Sequence, residues 1–229
     1  MKKQVTMTAA LALSALSLSG SMALAAEQEE GTTAQVTNKA EVTLKAGSGT
    51  DVTPVVPDDT HDDDPSTGNT GALSIPFASN ITFGEQEIQP EDTDYFALNK
   101  KPFVQVNDTR GGAKGWTLGA AISPFTSTDS EQSELVGAQL SLGNGKIVTK
   151  NNSSKQPELF QAAANTFVLN DNNQTIMQAA KGEGAGAFAA VFEGQDGKNE
   201  NVKLHVPRAG VEAKNYTAEI TWTLTDAPA

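Results

Sequence analysis

Two histidines, no cysteine and scattered carboxylates define the chemistry open to this sequence. His61 stands among Asp58, Asp59, Asp62, Asp63 and Asp64, whereas His205 lies between Leu204 and Val206 on the outward phase of an apolar alternation. Neither sits in the sequence context of a catalytic triad, a zinc site or a phosphate loop. The absence of cysteine excludes thiolate metal sites, disulfides, a cysteine nucleophile and a lipid-modified N-terminal cysteine. Glu85/Glu87 and Glu131/Glu134 are the residue types that hydrolyse glycosides, but nothing around them separates them from solvated surface charge. The aspartates of residues 58–64 lack the ligand spacing, central glycine and terminal glutamate of a calcium loop, and Pro65 stiffens their end. Gly182-Glu183-Gly184-Ala185-Gly186 precedes no clear helix, so a phosphate cradle is not expected there. The reading is of a non-enzyme without catalytic residues, metal or cofactor.

The tryptophans are more informative. There are two, Trp116 and Trp222, each followed at the second position by leucine: Trp116-Thr117-Leu118 and Trp222-Thr223-Leu224. In a strand, residues i and i+2 share a face. Trp116, Leu118, Ala120 and Ile122 therefore point one way. Tyr216, Ala218, Ile220, Trp222 and Leu224 do the same, with Thr217, Glu219, Thr221, Thr223 and Thr225 opposite. Apolar inside and threonine outside is the pattern of a half-buried strand, which makes both tryptophans core residues on a common core. A saccharide-stacking surface is the second reading, open to an indole at a sheet edge.

The elements that must hold these residues read as β. Short apolar runs recur at residues 81–83, 103–106, 115–122, 135–142, 146–149, 166–169, 188–192, 202–206 and 216–224, separated by Asn, Asp and Gly clusters. Gly143-Asn144-Gly145-Lys146 predicts a hairpin turn. Only residues 156–164 and 175–181 have helix-leaning composition. The expected fold is an all-β antiparallel sandwich or barrel-like domain with short helical or irregular insertions.

Charge divides the chain. Of 229 residues with net charge −12, residues 27–70 carry ten acidic and two basic side chains. Residues 26–70 read as an acidic, Pro- and Asp-bearing linker with one strand near 40–46, where Val42 and Leu44 alternate with Glu41, Thr43 and Lys45. Residues 71–229 read as the β-domain. Ahead of both, Lys2 and Lys3, an uncharged apolar run over 5–18 and small residues at Ala23 and Ala25 form a secretory signal peptide over residues 1–25. Its removal takes the charge from −12 to −14. No second apolar run and no sorting signal follow, so the expected product is exported and inserts into no membrane. The acidity argues against nucleic acid as a partner. Lys100, Lys101, Arg110 and Lys114 are close in sequence, as are Lys146, Lys150 and Lys155, but both sets read as a scatter of surface charge.

The residues from Tyr216 through Ile220, Thr221, Trp222 and Leu224 to Pro228 resemble the distal signature of WxL surface proteins of Gram-positive bacteria, with Ile220 in place of leucine. Trp116 and Leu118 match the proximal pair. Phe103-Val104-Gln105-Val106 before Asp108-Thr109-Arg110-Gly111, and Val202-Lys203-Leu204-His205-Val206-Pro207, extend the resemblance over most of the chain. It implies a secreted protein held non-covalently on the cell wall, with peptidoglycan as ligand. It also implies surface complexes with a membrane-anchored WxL-interacting protein and other WxL proteins. The alternative is a partner subunit or adhesin that binds another surface protein or host matrix.

Overall fold

The structure is a computed structural model that describes residues 35–56, 61, 65–160 and 165–226. The chain divides into two units, residues 1–42 and 43–229. The described residues of the first, 35–42, carry no regular hydrogen-bonded structure and are exposed.

The second unit is all-β, with no α-helix among its described residues. Its strands are β1 (Leu73–Ala78), β2 (Thr93–Ala97), β3 (Phe103–Asp108), β4 (Trp116–Ile122), β5 (Thr126–Ser127), β6 (Gln139–Gly143) and β7 (Lys146–Val148), then β8 (Glu158–Leu159), β9 (Thr166–Val168), β10 (Gln174–Ala179), β11 (Gly186–Val191), β12 (Asn199–Val206), β13 (Tyr216–Thr217) and β14 (Ile220–Thr225). Three four-stranded antiparallel sheets run β1-β3-β11-β7, β14-β4-β10-β8 and β2-β12-β6-β9, with a β13-β5 pair beside them. The sandwich-like, all-β expectation is met.

One buried cluster joins all three sheets: Val104 and Val106 of the first, Trp116, Leu118, Ile176 and Met177 of the second, Leu142 and Val202 of the third. Strand alternation produces it. β12 alternates between inward Val202, Leu204 and Val206, which are buried, and the more exposed Lys203 and His205. Phe167 and Phe192 meet edge to face at 6.2 Å within the same cluster.

Five local expectations need correction. Residues 81–83 form no strand, although Ile81 and Phe83 still pack against the core. Residues 175–181 are helical in composition, yet Gln174–Ala179 is β10, flanked on both sides by β4 and β8. Burial of Ile176, Met177 and Ala179 in the sheet outweighs their helix propensity. Residues 156–160 contain the short strand β8 and no helix, and residues 161–164 lie outside the described residues. Gly143-Asn144-Gly145 is no hairpin. Asn144 has the positive φ, 50°, that its side chain tolerates, but β6 pairs with β12 and β9 while β7 pairs with β11. The turn is a corner that carries the chain between sheets.

The strand expected near residues 40–46 is absent, and Val42 and Leu44 are 78% and 87% exposed. The docked residues come just after it. Gln105 accepts from the Val55 N–H at 2.8 Å and donates to the Thr53 carbonyl, and Val56 is buried against Phe77, Phe103 and Val191. Hydrogen bonds to strand neighbours, not alternation alone, decide which apolar residues become a strand.

Candidate functional site

The two Trp-x-Leu elements are neighbouring strands. β14 pairs antiparallel with β4, placing Trp222 opposite Ala120, Leu224 opposite Leu118 and Ile220 opposite Ile122. Residues directly opposite in an antiparallel pair share a face. Trp116, Leu118, Trp222 and Leu224 therefore look inward together, as the alternation requires, while Thr221, Thr223 and Thr225 are exposed.

Their surroundings differ. β4 is a central strand, and Trp116 is fully buried with its indole N–H donating to the Gly184 carbonyl at 3.0 Å. Gly184, at φ 70°, lies so close that a Cβ there would fall 2.7 Å from the indole nitrogen. The glycine-rich stretch of residues 182–186 thus has a structural job that its sequence did not announce. β14 is an edge strand, so Trp222, Leu224 and Ile220 are only half-buried. One tryptophan is core; the other stands at a margin.

That margin opens on a cleft of about 1490 Å³. Trp222 and Ile220 line it, with Phe83, Phe125, Tyr95 and Tyr216. Tyr95 and Tyr216 are the only tyrosines of the chain. Each is fixed by its hydroxyl: Tyr95 donates to the Glu87 carbonyl at 2.9 Å and Tyr216 to the Glu212 carbonyl at 3.4 Å. β2 positions Tyr95, and β13, pairing Tyr216 with Ser127 of β5, positions the second.

Glu85, Glu87, Glu212 and Glu219 also border the cleft, against a single lysine, Lys214, among its lining. Lys214 is bound by Glu131 at 2.6 Å, Glu212 at 2.7 Å and Asp129 at 3.3 Å, and donates to Ser133. The hydrogen bond to Glu131, then that to Glu212, raises its pKa, so it stays charged and committed to protein carboxylates. The cleft therefore offers aromatic faces and carboxylates, a composition suited to neutral or amine-bearing sugars and hostile to polyanions.

Of the sequence-predicted residues, the structure brings together Trp116, Leu118, Ile220, Thr221, Trp222 and Leu224 on β4 and β14, with Tyr216 close by on β13. Pro228 lies outside the described residues. Tyr95 and the Phe83–Phe125 walls carried no local signal; the one available clue was that tyrosine is so scarce.

The lone-charge readings resolve differently. Arg110 is structural: its Nε and one terminal nitrogen bind the two Asp108 oxygens at 3.0 and 2.9 Å, and it also caps the Gly115 carbonyl at 2.8 Å. The Asp108 hydrogen bonds raise the Arg110 pKa, and Asp108 is almost fully buried. Lys101 pairs with Glu193 and Lys155 with Glu183, so one lysine of each set is committed to a carboxylate. His205 is half-buried, with Nδ1 at 2.8 Å from Asp94. His61 lies 3.4 Å from Asp196. Among the described residues no group of three or more His, Asp or Glu is placed to hold a metal, and no helix is long and apolar enough to cross a membrane.

A family model described as WxL domain surface cell wall-binding matches residues 31–228. No curated protein and no solved structure matches the chain.

Proposed function

We propose that this chain, which belongs to the WxL domain family of surface cell wall-binding proteins, is held on the Gram-positive wall by taking a segment of peptidoglycan glycan into the cleft between Tyr95, Tyr216 and Trp222. The observation that carries the proposal is the convergence of both tyrosines and the exposed-side tryptophan on one cleft. Pyranose rings present apolar C–H faces to aromatic planes and hydroxyls to carboxylate and amide rims. The attachment is non-covalent and non-catalytic. Residues 1–25 act as a cleaved export signal, residues 26–70 as the acidic leader and residues 71–229 as the wall-binding domain.

The carboxylate rim favours the uncharged glycan, and the free amines of peptide stems, over anionic wall polymers. Surface complexes with a membrane-anchored WxL-interacting protein and other WxL proteins are part of the same proposal.

The test is retention on purified peptidoglycan stripped of teichoic acid and protein. Retention without shortening of the glycan is the expected result. Trp222→Ala and Tyr216→Ala should lower retention while the chain still melts cooperatively. Release of soluble muropeptides would make the protein a hydrolase and overturn the non-catalytic reading. No retention at all would favour the alternative of a partner subunit or adhesin.

A further inference from the structure

The three sheets present different outward faces. That of β1-β3-β11-β7 is covered, with Val52, Val55 and Val56 packed among Phe77, Phe103 and Val191. That of β2-β12-β6-β9 is charged, with Asp94 bound to Lys203 and His205. The outward face of β14, β4 and β10 is neither. Its register places Thr225 opposite Thr117, Thr223 opposite Gly119 and Thr221 opposite Ala121. Across β4, Gln178 stands opposite Thr117 and Thr175 opposite Gly119. Opposite residues share a face, so Thr117 and Thr223, the middle residues of the two Trp-x-Leu elements, look outward while their tryptophans look in. In a chain of net charge −12, none of these outward positions is ionisable. The first charge on this face is Glu158, on the far strand β8.

The polar groups of this face are fixed in place but unpaired. Among the described residues the hydroxyls of Thr175, Thr221 and Thr223 have no hydrogen-bond partner. Thr225 reaches the Thr117 carbonyl only at 3.4 Å. Gly119 makes room for an amide: a Cβ there would fall 2.4 Å from Asn173 Oδ1, so the Asn173 side chain lies across the strand. Same-face neighbours stand roughly 4.5–5.5 Å apart across strands and about 7 Å apart along one. The result is a grid of hydroxyl and amide groups, each able to donate and to accept.

That chemistry selects its partner. An anion would need a cation here and a cation a carboxylate, and the outward positions of β14, β4 and β10 supply neither. An apolar partner would bury the hydroxyls without donors or acceptors, which is costly. A glycan strand carries hydroxyl and acetamido groups that donate and accept, and its arrival strips water from no ion on either side. The face is also continuous with the cleft. β14 is an edge strand, so its two sides meet along its open edge, and Thr221 lines the cleft beside Ile220 and Trp222.

We infer that the outward face of β14, β4 and β10 is a second tract of the wall-binding surface, taking the same uncharged glycan strand where it passes from the cleft over the β14 edge. The inference rests on the glycan reading of the cleft and extends it, from aromatic stacking inside to hydroxyl recognition outside. Thr175, Thr221, Thr223 and the Asn173 amide are the contact groups. The residue between tryptophan and leucine thereby gains a part of its own in Thr223.

The test uses the full chain and purified peptidoglycan stripped of teichoic acid and protein. Thr175→Val/Thr221→Val/Thr223→Val removes three hydroxyls while keeping their branched shape, which suits a strand, so the variant should melt no lower than the parent. Its affinity should fall roughly tenfold, because three hydrogen bonds are lost. The matching triple serine variant keeps the hydroxyls and should retain most of the parent affinity. Undiminished binding by the valine variant would overturn the inference, and so would an equal loss in the serine variant. Loss of retention in Trp222→Ala beside an unaffected valine variant would leave the cleft as the whole site. If the parent itself is not retained, the cleft reading and its extension fall together. If sedimentation shows that the parent self-associates and the valines abolish only that, the face is a protein interface and the inference fails.

Discussion

Trp116 and Trp222 share a motif, a sheet face and a neighbouring strand, but their substitutions should separate. Trp116 is completely enclosed and hydrogen-bonded. Truncating such a residue costs about 3–5 kcal/mol, enough to unfold a marginal domain. Trp116→Ala should therefore lower the melting temperature sharply and lose wall binding only as a consequence. Gly184→Ala should act in the same direction, because its Cβ would press on the Trp116 indole at a φ of 70°. Trp222→Ala, at a half-buried edge, should melt close to the parent and lose affinity instead. Acrylamide quenching checks this before any substitution: one indole protected, one partly accessible. Both indoles belong to one core, Trp116 within its buried cluster and Trp222 packed against it from the half-buried edge. Alternation shows which face a side chain takes, but not whether its strand is central or at an edge. A second residue-scale case is Arg110. Removing it strands the buried Asp108 carboxylate, and breaking a buried pair costs about 3–5 kcal/mol. Arg110→Ala should show that loss in chemical denaturation. Arg110→Lys should rescue it only partly, since an ammonium cannot reproduce the two-point grip.

At the scale of elements, β2 is held to β12 by more than its backbone ladder. Asp94 of β2 meets Lys203 at 2.6 Å and His205 at 2.8 Å, both on β12. The Lys203 hydrogen bond, then that of His205, pulls the Asp94 pKa below its ordinary value. A carboxylate lowered by folding stabilises the fold above its unfolded pKa, near about 4, and loses that contribution as pH falls through the lower folded value. Glu183, bonded to Lys155, and Asp129, bonded to Ser127, are shifted in the same direction. Stability should thus be flat near neutrality and decline in strong acid, and Asp94→Asn should flatten the Asp94 share of that decline. Thermal melts across pH measure both. Much of this level was legible: β3, β4, β12 and β14 follow from alternation bounded by turn residues. β10 was not, since Thr175, Met177, Gln178 and Ala179 also suit a helix and only partners on both sides make them a strand. β1 and β2 went unseen because Pro76 interrupts one and the other is a short, polar run of Thr93, Asp94 and Tyr95. The cleft was the least legible, because Tyr95 and Tyr216 meet across long stretches of chain.

For the whole molecule, charge and cleft point the same way. The net charge is −12, and the one lysine lining the cleft is already taken by carboxylates. Approach to a polyanionic wall is repulsive, and added salt screens that repulsion. Retention on walls that keep their teichoic acid should therefore rise with moderate salt and as pH drops toward the carboxylate range. Retention on stripped peptidoglycan should change less. A basic wall binder would show the reverse salt response. The connectivity has a consequence of its own in time. β14 closes against β4 across a stretch such as that from Thr117 to Thr225, 108 residues apart, and β12 reaches back to β2 in the same way. Such pairings must meet the entropy of closing a long loop before any contact rewards them, which places all-β domains of this kind in the millisecond-to-second range of folding. Until the final described strand arrives, β4 keeps one side open with Leu118 and Ala120 waiting for cover. Stopped-flow refolding followed by tryptophan emission should show Trp222 reaching its native signal late. A nascent chain halted before residue 220 would be a sticky species, its unfinished sheet seeking any strand within reach.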